Sequence, residues 1–234
     1  MIKFIILREG GLIMLEKIMN DKEINSIIGH VNDIIIINNC GDHSFGHVLK
    51  VMEYMEILLI GLGADEHTIE LGKIAAYLHD IGAIMGKDGH AERSANFAEK
   101  YLKKIGMNDN DLKIEVNAIR NHSTGANLDS VIGACLTLAD KIDMRKSRMM
   151  RFIDGICYHD NVKHVIETKL YVDSENIVID IITDGMFDYN CLREQSKVIN
   201  KPVEMAKYLK RNCLFKIDGQ IIDLYSIINS SKNY

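Results

Sequence analysis

The chain has 234 residues, 47% of them hydrophobic and 26% charged, which excludes intrinsic disorder and suits one full domain with an appendage. Its net charge of -5 provides no global basic field and its 6% aromatic residues no stacking platform, so the composition argues against a nucleic-acid partner. A single proline leaves long stretches free to be helical.

In chain order, Met1 to Gly11 is poor in helical pattern and lacks the apolar core and cleavage site of a signal peptide. Met14 is a second candidate initiator. No run reaches about 18 apolar residues, so no membrane span is expected. Asn20-Asp21-Lys22-Glu23 reads as a capping box ahead of the helical stripe Ile24, Ile27, Ile28, Val31 and Ile35. Asn38 to Asp42 breaks that stripe. A second helix carries His47, Val48, Val51, Met52, Met55 and Leu59, and Asp65 caps a third that ends at His79. Gly82, Gly86 and Gly89 predict a loop. Helices follow from His90 to Ile105, from Asp109 or Asn110 to His122, and from Asp129 to beyond Asp140.

Near residue 160 the period changes. Val165–Val172 and Asn176–Ile182 alternate β-branched with polar residues around Asp173-Ser174-Glu175, which predicts a hairpin. A helix with Pro202 at or near its first turn follows, then a second hairpin, 214–217 and 220–224, about Asp218-Gly219. The expected fold is mainly α. A helical domain spans 1–160, and a small C-terminal α+β extension containing β-hairpins spans 161–234. The hairpin edges need protection, which makes a homodimer one expectation. Five scattered cysteines without a CxxC pair fit reduced thiols and a cytoplasmic location.

The chemistry lies where polar residues interrupt the helices. His47 sits on a core-facing helix, His79-Asp80 and His122 end helices, His90 opens one, and Asp140 stands in the apolar run LTLADKID. A second His-Asp dipeptide, His159-Asp160, shows that the dipeptide alone carries no information. The ordered set does, because imidazole and carboxylate bind Fe, Mn, Co, Ni or Zn, and helical bundles build metal sites between facing helices. Lys141, Arg145, Lys146, Arg148 and Arg151 follow Asp140 against the single acid Asp143. Lys141 and Arg145, spaced i,i+4, are candidate substrate-binding residues, with Arg93, His43 and Lys87 beside them. His30, His67, His159 and His164 lack such a context.

In this light DHSFGHVLKV, AAYLHDIG, GHAERSA, IRNHSTG and LADKID, between Asp42 and Met149, together resemble the HD superfamily of metal-dependent phosphohydrolases. The likeness is to its binuclear branch, ordered H…HD…H…H…D. It implies an all-α HD core and two divalent metal ions, held by His47, His79, Asp80, His90, His122 and Asp140, with His79 and Asp80 as the catalytic pair. It also implies a metal-bound hydroxide attacking a phosphoester or phosphoanhydride of a small phosphorylated metabolite, a nucleotide among the candidates. NAIRNHSTG and LADKID most resemble the HD hydrolases of symmetric diadenosine tetraphosphate, although those enzymes lack an extension like that after residue 160. Two alternatives stay open: a di-iron HD-fold oxygenase, and a non-catalytic metal-dependent binding or regulatory module.

Overall fold

Side-chain oxygens start several of the helices. In the computed structural model, which describes residues 13–35, 41–153, 156–188 and 196–223, α1 (Ile13–Met19) is followed by α2 (Lys22–Ile35). Asp21 accepts from the backbone N–H groups of Glu23 and Ile24 at 2.8 and 3.2 Å, so the cap lies one residue after the Asn20 of the expected box. α3 (Phe45–Gly61) leads to α4 (Glu66–Leu78), which Asp65 caps through Thr68 N–H as expected. α5 (His90–Lys104) and α6 (Asp109–Asn121) follow. α6 starts at Asp109, one of the two expected positions, with Asn108 as its cap, while α7 (Val131–Ile142) starts two residues after the expected Asp129 and is capped by Ser130.

α7 is buried nearly all round from Ile132 to Ala139 and packs against α3, α4 and α6. It is therefore a central helix of the bundle. The stretch expected as a loop after His79-Asp80 contains a 3-10 turn, Ile81–Met85, wedged against α2 and α5. Gly82 permits that contact. A Cβ there would stand 2.5 Å from Ser94 N and 2.6 Å from His90 O, so a side chain at this position would push α5 away. Ser94 Oγ accepts from Gly82 N–H at 2.9 Å and Arg93 Nε donates to Gly82 O at 3.0 Å, which locks the N-terminal turn of α5 to the residues that follow Asp80.

The extension begins with the short α8 (Cys157–Val162) and the hairpin β1 (Val165–Val172) and β2 (Asn176–Thr183), in which Leu170 faces Ile179. α9 (Ser196–Tyr208) then carries the chain to β3 (Asn212–Ile217), and β4 (Gln220–Ile222) closes the second hairpin. The sheet order is β1-β2-β3-β4, and β3 runs parallel to β2 with Ile181 beside Ile217. A parallel neighbour requires a crossover, and α9 supplies it while packing on α7. Pro202 lies inside α9, not at its first turn as the sequence suggests. Tertiary packing on α7 holds this helix despite the hydrogen bond that the proline removes.

Sheet and helices share one apolar core, from Val51 and Leu138 through Ile179 and Phe215. Tyr54 on α3 donates to Thr168 O on β1 at 2.9 Å. Cys135 and Cys213 carry free thiols. The Met1–Gly11 run, the break at 38–40, Cys40, Cys191 and the expected strand end at Leu224 lie outside the described residues. Among the described residues no helix is long and apolar enough to cross a membrane.

Glu115 on α6 is fully buried, and neither of its carboxyl oxygens has a hydrogen-bond partner. Burial, and then the nearby charges of Asp111 and Glu70, push its carboxyl well above the usual range. The folded chain therefore keeps a proton that the unfolded chain releases near the ordinary value of 4.5. The folded pKa is the higher one, so stability falls as pH rises above that value. Replacing Glu115 by Leu is expected to raise unfolding free energy by about 1–3 kcal/mol near neutral pH. Denaturant unfolding at about pH 5 and about pH 8 checks this, because the gain must be larger at the higher pH. An equal gain at both would contradict a buried acid.

Candidate metal centre

Two helix ends present their histidines in the same way. His79 follows the last residue of α4 and His122 the last residue of α6, both with helical backbone. The carbonyls of a last helical turn lack intrahelical donors. Ala76 O accepts from His79 Nδ1 at 2.7 Å, and Ile119 O from His122 Nδ1 at 2.6 Å. His90, at the first turn of α5, donates from Nδ1 to Lys87 O at 2.6 Å. On α3, His47 Nδ1 lies 2.9 Å from Asp143 Oδ2.

A carbonyl or an ionised carboxylate can only accept, so each of these four rings carries a proton on Nδ1 and, in its neutral form, leaves a lone pair on Nε2. All four lone pairs converge on Asp80, which is 2% exposed. Asp80 Oδ2 stands 3.6 Å from His47 Nε2 and 3.3 Å from His79 Nε2. Its Oδ1 stands 3.2 Å from His90 Nε2 and 3.6 Å from His122 Nε2. Within the pairs, Nε2 to Nε2 is 3.3 Å for His47–His79 and 3.2 Å for His90–His122.

Asp80 thus faces two imidazoles with each oxygen, and two groups of three ligands meet at this one carboxylate: His47, His79, Asp80 and Asp80, His90, His122. With neutral rings, all three atoms of either group are acceptors. Acceptors this close and this buried repel one another unless a cation lies among them. The donor set therefore fits divalent metal ions. Nδ1 bonds to carbonyl or carboxylate are also the usual supports of metal-bound histidine.

Asp140, on α7, adds Oδ1 at 3.2 Å from His47 Nε2, while its other oxygen pairs with Lys141. His43 Nδ1 lies 2.5 Å from Asp80 Oδ2. Burial lowers the pKa of His43 to about 4 against the opposing pull of Asp80. Burial alone would raise the pKa of Asp80 and of Asp140, but neighbouring groups, His79 and His43 for Asp80 and Lys141 and His47 for Asp140, hold both well below the usual range.

The structure thus brings His43, His47, His79, Asp80, His90, His122 and Asp140 together, with Lys141 against Asp140. Arg93 and Arg145 are engaged elsewhere. Arg93 donates to the carbonyls of Gly82, Gly86 and Asp88. Arg145 grips Asp143 from Nε at 2.7 Å and Nη2 at 3.0 Å, and reaches Gly46 O at 3.1 Å. Lys141 and Arg145 do not share a helical face, because α7 ends at Ile142 and Arg145 has extended backbone. Lys87 is exposed, on the loop before His90. His30, His67, His159 and His164 make other bonds, to Ser26 O, Asp111, Ile153 N–H and Asp184.

Sequence reasoning overlooked Asp143. It is buried, and although burial raises its pKa, hydrogen bonds from His47 and Arg145 hold it well below the usual range. Its only signal is its place three residues after Asp140, where it reads as one acid in a basic run.

The family model for the HD domain matches residues 44–145. Among solved structures the chain is similar to a predicted HD superfamily hydrolase from an uncultured Thermotogales bacterium. Identity is 26%, over 56% of this chain and 74% of that one, with a TM-score of 0.43. No curated protein matches the chain.

Asp143 fixes the ring and tautomer of His47, so Asp143→Asn is expected to weaken divalent-metal affinity by about 10–100-fold while the fold persists. Metal titration alongside far-ultraviolet circular dichroism checks this. Unchanged affinity would remove Asp143 from the support of the site.

Proposed function

We propose, from the match of residues 44–145 to the HD domain, that the chain is a metal-dependent hydrolase of phosphate esters or anhydrides in a nucleotide or other small phosphorylated metabolite. One observation carries the reading: a buried carboxylate, Asp80, turns each oxygen toward its own pair of imidazole lone pairs. A carboxylate shared in this way suits two ions a few ångströms apart, the arrangement used to hydrolyse phosphates. In this reading His47, His79, Asp80 and Asp140 hold one divalent ion, and Asp80, His90 and His122 hold the second. Bound there, such ions lower the pKa of water and neutralise charge on phosphoryl oxygens.

The remaining groups of the chain keep this set in place. His43 holds Asp80 Oδ2 from the side. Asp143 keeps the proton of His47 on Nδ1, and Arg145 keeps Asp143 ionised. Gly82 lets α5 close on the turn after Asp80, which brings His90 to Asp80 Oδ1. In this reading Lys141, Lys87 and His43 would meet a substrate anion. The catalytic roles of His79 and Asp80, the nucleotide class and the cytoplasmic location belong to the same proposal. So does the division of the chain into a catalytic region 1–160 and an extension 161–234.

Asp80→Ala and His79→Ala are each expected to strip metal from the purified protein and to reduce hydrolysis of bis(p-nitrophenyl) phosphate to the uncatalysed level. Elemental analysis and a spectrophotometric assay with added Mn or Co check this. Full hydrolysis by either variant would refute the assignment. Metal-dependent oxygen uptake without phosphate hydrolysis in the parent protein would favour the oxygenase reading.

A further inference from the structure

Three carboxylates lie close to the His47 ring, and they are not partnered alike. Asp80 meets imidazoles on both of its oxygens. Asp143, on the Nδ1 side, is gripped by Arg145 from Nε at 2.7 Å. Asp140, on the Nε2 side, is met by Lys141, whose ammonium donates to Oδ2. Lys141 thus places a full positive charge in direct contact with a candidate metal ligand. The side chains of Lys141 and Asp140 are 27% and 11% exposed, so the pair is better shielded from water than a surface ion pair.

The pair is made against the direction of the helix. Both residues lie on α7, where neighbours in sequence point about 100° apart and do not face each other. Lys141 therefore bends back toward the ligand side of α7 to reach Asp140. The other oxygen of Asp140 keeps its place toward the centre, 3.2 Å from His47 Nε2. Asp140 nevertheless stands outside the compact group of His47, His79 and Asp80, whose ligand atoms lie within 4.8 Å of one another. One carboxylate is thus divided between two tasks: Oδ1 faces the ligand set and Oδ2 faces a lysine.

We propose that Lys141 is a counter-charge built into the metal centre. It holds Asp140 by one oxygen, limits that carboxylate to a single donor atom toward an ion, and lowers the affinity of the His47 side for divalent cations. An ammonium and a dication compete for the same carboxylate, and a like charge this near also opposes the ion through space. A buried site whose ligand set alone would hold its ion more tightly is thereby kept exchangeable. This role is toward the ion and is separate from any contact of Lys141 with a substrate anion. Lys141 acts through Asp140 and is a positioning residue. The inference rests on the proposed place of Asp140 in the metal set and on nothing about the reaction.

The test is competitive removal of Mn from the metal-loaded full chain by a chelator. It compares the parent with Lys141→Met, Lys141→Arg, Asp140→Asn and the double variant Lys141→Met/Asp140→Asn. Lys141→Met is expected to hold Mn about tenfold more tightly than the parent, and Lys141→Arg, which keeps the charge, to stay within about threefold of it. In the Asp140→Asn background the gain from Lys141→Met is expected to shrink to about threefold or less, because the contested carboxylate is gone and only the through-space effect remains. Lys141→Gln carries the same expectations if Lys141→Met fails to fold. A lysine that merely steadies Asp140 as a ligand predicts the opposite sign, weaker Mn binding in Lys141→Met, and that result would overturn the proposal. So would unchanged affinity, or an equal gain with and without the Asp140 carboxylate. Asp140→Asn alone is expected to weaken Mn binding. If it does not, or if the parent binds no Mn, Asp140 leaves the metal set and the inference falls with that assignment. Weakening by Asp140→Asn without a response to Lys141 overturns the counter-charge alone.

Discussion

Asp80 is an ionised carboxylate at the centre of the bundle, and the imidazoles around it offer lone pairs instead of protons. That arrangement follows from four bonds made on the far side of the rings, by Ala76 O, Ile119 O, Lys87 O and Asp143. Each bond fixes a tautomer, and together they turn four acceptors toward a fifth group that also accepts. A buried polar group without a partner is costly. Here the cost is concentrated at one point, which makes the centre a cation site by construction.

The surrounding fold serves that concentration. Two of the three carbonyl partners come from last helical turns, where carbonyls lack donors in any case, so placing a histidine one residue past a helix satisfies the helix end and orients the ligand together. α7 brings Asp140 and, just past its end, Asp143 to opposite sides of the His47 ring: Oδ1 of Asp140 near Nε2, Oδ2 of Asp143 on Nδ1. The close contact at Gly82 sets how far His90 stands from Asp80. The sheet lies beyond this machinery and meets it through α3, where Tyr54 bonds to β1. A Cβ at Gly61, the last residue of α3, would fall 2.4 Å from the Val172 Cβ, so helix and strand are packed as closely as the backbone allows.

Much of this was legible in the residues. Histidines at helix ends and within apolar runs stand out against the surrounding hydrophobic period, and five of them with Asp80 and Asp140 would be hard to place otherwise than facing inward; these five, His43, His47, His79, His90 and His122, do meet at Asp80, and no further histidine joins them among the described residues. The caps at Asp65 and the turn at Asp218-Gly219 were equally plain, because they depend on chemistry within a few residues. What local pattern missed was long-range. Asp143 and Arg148 look like members of a charged run until the chain leaves the helix at Ile142 and turns one carboxylate under His47 and one guanidinium over Gly41. Arg145 looked free for a substrate by its helical spacing and is instead engaged by Asp143, because that spacing ends with the helix.

By itself, then, the amino-acid sequence determined which residue types carry the chemistry, their order, and a helical body followed by β-hairpins, since hydrophobic period, capping and turn chemistry act over short distances. Only the tertiary structure decided that β3 lies parallel to β2, that Pro202 falls inside α9, and that each oxygen of Asp80 has its own imidazole pair. Strand partners, helix ends held by packing, and the direction of a lone pair depend on groups far apart in the chain. No local period encodes them.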